Sequence, residues 1–331
     1  MTFLLAGSAG EFRHCVTIFP MLPPYRERPA AILPAPAAFF LALASVYLLL
    51  ASPHLTGGDC GEYVGCSRWL GNNHPPGNPF YDLLGYVAQQ LPAGDLFSRT
   101  AILSALPMAG AVALLSLPLP GVPGTAARPV PLLVLLLLAF SPSVLRTATM
   151  VEVYGLATFA LAFILRYAFR AAPPPLPAAV RRASFLTGLA MGVHYLVFVA
   201  ALPAGVRAIL QGDRKLRAAT AAFLSLVLGY LVFLYLPARG SAAPPWNFGA
   251  PSGAADFLGI LFWKQYAGRP AHDRTASLLL RQSLWTCEAL LRSFHPAVLS
   301  LAFMGLAARG RPTEGRDPSG ILALSVLWYS L

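Results

Sequence analysis

The sequence predicts an all-α membrane protein, a polytopic helical bundle with short, broken helices and two long outer loops. Three observations predict it. Only 11% of the 331 residues are charged while 56% are hydrophobic. Soluble domains carry roughly 25% charged residues, so this chain cannot clothe a water-facing surface in the usual way. Apolar runs also recur, at 37–52, 100–119, 130–143, 152–169, 185–193, 195–210, 219–237, 291–308 and 320–331. Finally, if the N-terminus is inside and the runs alternate, most of the 24 Lys and Arg residues fall on the inner side in short loops. The net charge of +11 therefore reads as basic inner loops. It does not point to nucleic acid.

Each element follows in order. Residues 1–36 carry Pro and Arg without a signal-peptide pattern and are expected to form a disordered cytoplasmic tail. The span 37–331 is expected to be one polytopic domain. Run 37–52 opens it and leads into the first outer loop, 53–99. Several later runs are shorter than the roughly 20 residues that a full span needs. Runs 185–193 and 195–210 make a tight hairpin turning at His194. Short helices at membrane depth need surrounding protein or a water-filled cavity, so that turn is a candidate cavity wall. The second outer loop, 238–290, begins with Pro244, Pro245, Gly249, Pro251 and Gly253, which exclude a continuous helix there. Its stretch 255–265 has helical spacing and reads as an interfacial amphipathic helix. The sequence stops at SVLWYSL, inside an apolar run too short to span, so the membrane domain is expected to be incomplete at its C-terminus.

Chemistry concentrates in GGDCGEYVGCSRWLGNNHPPGNPF, residues 57–80. Asp59 and Glu62 stand just beyond a greasy segment, in a chain where charge is scarce. A carboxylate here can act as a general base on a hydroxyl; equally, acids at a helix start can cap it. Glu62 follows one helical turn later and is suited to orienting an acceptor, binding a sugar hydroxyl or raising the pKa of Asp59. His74 opens a rigid His-Pro-Pro-Gly turn, where it can contact a phosphate or pin the loop. On the same outer face fall Glu152, with Arg146 as its nearest basic candidate, and His194. Arg239 has a fork suited to phosphate oxygens, or can snorkel to headgroups. Trp246 and Asn247 offer an aromatic face and an amide of sugar-binding type. Cys60 and Cys66 read as free thiols, and no Cys/His spacing suggests zinc.

Several co-ordered motifs then carry a resemblance. GGDCGE, LGNNHPPGNP, FSPSVLRTATMVEVYGL, FLTGLAMGVHYL, YLPARGSAAPPWNFGAPS and KQYAGR occur in this order over about 40–270. Together they resemble the protein O-mannosyltransferases of the transmembrane protein 260 type, within the GT-C class of polyprenyl-phosphate-sugar-dependent glycosyltransferases. Cys60 stands where that family usually has Ser. The resemblance implies a GT-C-like transmembrane domain that moves a hexose, mannose by family, from a polyprenyl phosphate to Ser or Thr hydroxyls of an acceptor protein. It nominates Asp59 as base, with Glu62 beside it. His74, Glu152, His194, Arg239, Trp246 and Asn247 are expected around donor and acceptor. The site is expected on the periplasmic or lumenal face of a bacterial inner membrane or of the endoplasmic reticulum.

Other readings stay open at this point. A transporter or lipid-linked sugar flippase would also have broken helices, but places ionisable groups near the midplane; here the acids cluster at the outer ends of the runs. A degenerate, non-catalytic family member is a third reading. No cofactor is assigned beyond the lipid-linked donor as substrate and membrane lipid as partner. Two acids are a sparse ligand set, so a divalent metal between Asp59 and Glu62 is left open and no metal ligand is named.

Overall fold

A computed structural model describes residues 34–117, 132–170, 177–210, 214–262, 264 and 276–293. Within them every regular element is helical; the one β-type pairing is an isolated bridge between Asn72 and Asn247. The tail expected over 1–36 and the apolar run at 320–331 lie almost wholly or wholly outside the described residues, as does most of 291–308.

Helix α1 (Pro34–Leu50) realises the first apolar run. The first outer loop is itself helical, with α2 (Cys60–Trp69) and α3 (Pro79–Gln89). Then comes α4 (Leu96–Leu115), which begins four residues before its apolar run because Asp95 caps it, accepting the Ser98 N–H at 2.8 Å. The next run is broken. Helices α5 (Leu132–Ala139) and α6 (Pro142–Thr149) meet at 60°, with Ser141 at the N-cap and Pro142 opening the second helix. Proline lacks the N–H that would continue α5 and suits a first helical turn. A short extended connection holding Glu152 leads to α7 (Tyr154–Arg170).

The hairpin expected at His194 is present: α8 (Pro177–Met191) and α9 (Leu196–Leu210) pack together across a short turn. Helix α8 starts at Pro177, well before the apolar run at 185. Polar positions such as Arg181 and Arg182 join the helix because its first turns lie exposed. Then α10 (Lys215–Tyr230) passes through a 3-10 turn, Leu231–Leu234, into α11 (Tyr235–Ser241).

By length and composition, α4 and the 27-residue unit Lys215–Ser241 can each cross a membrane, and the bent α5–α6 pair makes a third candidate. The second outer loop contains α12 (Ala254–Leu261), where an amphipathic helix is expected, and also α13 (Ala276–Ser293), which the loop assignment left unstructured. Its sequence ASLLLRQSLWTCEALLRS has helical periodicity, and Arg292 pairs with Glu288 at 2.6 Å one turn apart.

Two of the four buried apolar clusters among the described residues position the site. One joins α1, α4 and α6 through Leu43, Tyr47, Met108, Val112 and Ala148; Tyr47 donates its hydroxyl to the Ala139 carbonyl at 2.9 Å, closing the bent pair onto α1. The other lies beneath α2 and α3, where Tyr63, Tyr81, Val151, Val153, Val193 and Val197 are buried together. It seats the first outer loop on the α6–α7 connection and the α8–α9 turn.

Candidate active site

Helix α2 organises the site. Asp59 occupies its N-cap position, yet its side chain makes no capping hydrogen bond. The residue is exposed, so the carboxylate is presented outward. Glu62, one turn on, lies beside it and is committed to His74. Its carboxylate accepts the His74 backbone N–H and meets ring Nδ1 at 3.0 Å through both oxygens. The hydrogen bond and charge of Glu62, with Asp59 adding, raise the His74 pKa above the ordinary imidazole value despite partial burial. Loop pinning, one of the two roles open to His74, is thus built into the geometry.

Glu152 approaches from the α6–α7 connection. Its Oε1 lies against Gly58, where an added Cβ would stand 3.2 Å away. Its backbone is clamped by Ser104, whose Oγ accepts the Glu152 N–H at 3.1 Å and donates to its carbonyl at 3.0 Å. Burial, reinforced by the Asp59 charge, raises the Glu152 pKa, with Arg146 pulling the other way. The Glu152 carboxylate thus lies against the residue preceding Asp59, close enough to feel its charge.

His194 lies on the next segment. Its Nδ1 accepts the Leu196 N–H at 3.3 Å and so caps α9, and its ring packs on Tyr154 at 5.1 Å. Burial lowers its pKa. A neutral ring whose Nδ1 accepts must carry its proton on Nε2.

The remaining sequence-derived residues gather along α2 and at its far end, about 15 Å from Asp59 at 1.5 Å per residue. Arg239 donates Nε to the Leu70 carbonyl at 2.7 Å and Nη2 to that of Trp69 at 3.2 Å. It therefore closes the C-terminus of α2, where Leu70 adopts a left-handed φ of 49°. Trp246 lays its ring over Gly65 and its carbonyl against Gly71. Asn247 accepts from Asn72 Nδ2 at 3.3 Å.

Two residues that sequence reasoning passed over, Asn72 and Asn73, hold these pieces together. Both are fully buried. Asn72 donates its N–H to Trp246 and accepts from the Phe248 N–H at 2.8 Å, while its Nδ2 reaches the Leu236 carbonyl at 3.0 Å. Asn73 Nδ2 lies 2.8 Å from both oxygens of buried Asp82. Burial pushes the Asp82 carboxyl well above the usual range, against the lowering effect of Asn73. The available signal was two adjacent amides directly before HPPG in a chain poor in polar residues.

For metal binding, one ligand atom each from Asp59, Glu62 and His74 lie within 4.8 Å of one another. Two carboxylates and an imidazole suit a divalent cation by donor type. Glu62 would have to exchange its bond to His74 for the ion.

The described residues form an all-helical body with two or three candidate membrane spans and a carboxylate-bearing loop packed on it. Residues 59–120 match the family model of the protein O-mannosyl-transferase TMEM260 N-terminal domain. The matched segment starts at Asp59 and includes Glu62, His74, Asn72, Asn73 and Asp82. Glu152, His194, Arg239, Trp246 and Asn247 fall beyond it. No curated protein and no solved structure shows a significant match to the chain.

Proposed function

We propose that the chain is a GT-C-type glycosyltransferase that moves a hexose, mannose by its family likeness, from a polyprenyl phosphate to Ser or Thr hydroxyls of proteins, at the periplasmic or lumenal membrane face. The match to the TMEM260 N-terminal domain supports the reaction class. The observation that carries the assignment is Asp59: an outward carboxylate at the start of α2 that stands at a capping position and does not cap.

In this reading Asp59 takes the proton of the acceptor hydroxyl as the glycosidic bond forms, since a neutral hydroxyl is a weak nucleophile without a base. One displacement at the anomeric carbon inverts it and expels the polyprenyl phosphate. Glu62 and His74 fix the rim beside Asp59. In this reading the Glu62–His74 pair, whose hydrogen bond favours the charged ring, contributes positive charge that would stabilise the departing phosphate. Glu152, holding its proton longer, suits hydrogen bonding to a sugar hydroxyl. Trp246 and Asn247 lie further along α2, where they line the approach of an extended acceptor or the sugar.

The test is transfer from labelled polyprenyl-phosphate mannose to secreted protein in membranes containing the chain. Label appearing on Ser or Thr supports the proposal. Movement of the labelled lipid between leaflets without transfer sinks it.

A further inference from the structure

The connection from α6 to α7 turns two side chains into the core and two away from it. Val151 and Val153 are buried beneath α2, at 1% and 0% exposure, whereas Glu152 is half-buried and Tyr154 is 43% exposed. An extended chain sends successive side chains to opposite sides, so Glu152 and Tyr154 share the outward one. The main chain has little freedom to depart from this. Ser104 holds Glu152 at both its N–H and its carbonyl. Gly155 lies so close to α4 that an added Cβ would stand 2.6 Å from the Ser104 carbonyl oxygen.

Tyr154 opens α7, and its ring packs on that of His194 with centroids 5.1 Å apart. Partial burial, then the charges of Glu152 and Asp59, raise the pKa of its hydroxyl, so the phenol end lies toward the two acids. The His194 Nε2–H finds no acceptor among the described residues, because the bond it makes runs through Nδ1. Three segments thus bring an open aromatic ring, a carboxyl and an imidazole N–H to the end of α2 where Asp59 stands. A hexose presents an apolar C–H face and a rim of hydroxyls. The ring suits the first, since tyrosine combines an apolar body with a polar tip, and the acid and imidazole suit the second. Trp246 is placed less well for this. Its ring covers Gly65, where a Cβ would stand 2.5 Å from it, and Gly65 lies six residues along α2 from Asp59, roughly 9 Å at 1.5 Å per residue.

We propose that Tyr154 is the platform on which the transferred hexose stacks, its hydroxyls reaching Glu152 and the His194 Nε2–H. This rests on the glycosyltransferase reading and names the sugar subsite of that same site.

The experiment uses the full chain in detergent, with mannose 1-phosphate as probe and inorganic phosphate as control, and reads binding by saturation-transfer NMR. The ring protons of the sugar should receive saturation from the wild type and from Tyr154→Phe. Tyr154→Leu, which keeps apolar packing against His194, should bind the probe roughly tenfold more weakly, the size of an aromatic stacking contribution. In membranes the same variant should raise KM for the lipid-linked donor by a similar factor, and Tyr154→Phe should not. Undiminished saturation in Tyr154→Leu overturns the proposal, as does complete absence of saturation in the wild type. So does a loss caused by Trp246→Leu in place of Tyr154→Leu. If Tyr154→Leu does not fold, the wild type decides. A tyrosine ring resonance, assigned by its absence from Tyr154→Phe, should shift with mannose 1-phosphate and not with phosphate; no shift overturns the proposal. Binding of this pattern without any transfer of label keeps the sugar subsite and removes the transferase reading.

Discussion

Glu62 holds His74 by its main chain and its ring at once, so the start of α2 and the HPPG turn are joined through one carboxylate. Replacing Glu62 by Gln keeps an acceptor for the main-chain N–H but removes the charge. The His74 pKa, raised chiefly by this hydrogen bond, should fall toward or below 6.5, as read by NMR titration of the imidazole. The sign for stability follows. A raised histidine contributes below its unfolded value and loses that contribution as pH rises through the folded value. The wild type should therefore lose a stability increment above pH 6.5 that Glu62→Gln never has. With the ring 42% exposed, screening keeps it small.

Asp59→Asn should abolish transfer while leaving the fold intact. The amide cannot accept the acceptor's proton, and loss of a general base costs roughly 10²–10⁴-fold. Because Asp59 makes no capping bond, its replacement should leave Tm nearly unchanged. Parallel transfer and thermal-shift measurements separate the two effects. Near wild-type transfer would move the base to Glu152, the other carboxylate beside Gly58, whose pKa burial raises.

Gly71→Ala should be strongly destabilising. The added Cβ would stand 2.0 Å from the Trp246 carbonyl oxygen, so the bridge between Asn72 and Asn247 must open. Overpacking of this kind costs typically about 1–3 kcal/mol. Limited proteolysis between 242 and 253 should accelerate along with the fall in Tm. An unchanged cleavage rate would show that the bridge does not hold this loop.

The side of the membrane can be read with introduced cysteines after replacing Cys15 and the exposed Cys287, since Cys60 and Cys66 are buried. Gly253→Cys has open space around it and should react with an impermeant reagent from outside. Leu216→Cys, exposed at the start of α10, should be protected until the membrane is permeabilised. The reverse pattern would place the candidate site on the inner face.

The helices were legible where apolar periodicity was long: α1, α4, the α8–α9 hairpin and the long Lys215–Ser241 unit all fall on predicted runs. Asp59, Glu62, His74 and Glu152 stand out because charge in an apolar chain is conspicuous, and the fold brings them to neighbouring positions. The opposite applies to Asn72, whose importance rests on carbonyls contributed by residues more than 160 positions away, and to Asn73, whose amide is held by the buried Asp82 carboxylate nine positions on. Arg239 was visible as a cation, but its partners are main-chain oxygens at a left-handed turn, which a residue pattern does not disclose. Helix α13 was missed because its apolar positions are spaced among polar ones and never form a run. Likewise, spacing placed an acid at the N-terminus of α2 but could not tell whether its side chain turns back to cap.

The family match ends at residue 120, but the hydrogen bonds of its segment do not. The Phe80 and Tyr81 amides both donate to the Gly192 carbonyl, Asn78 donates to Val193, and Asn72 depends on Leu236 and on Trp246. An excised 59–120 peptide would leave these donors without acceptors in an apolar surrounding, where each orphaned group is expensive. The matched segment is therefore expected not to fold alone. A graft of this segment into another membrane scaffold has to bring along the α8–α9 turn and the stretch from Leu236 to Phe248, or it arrives without its other half.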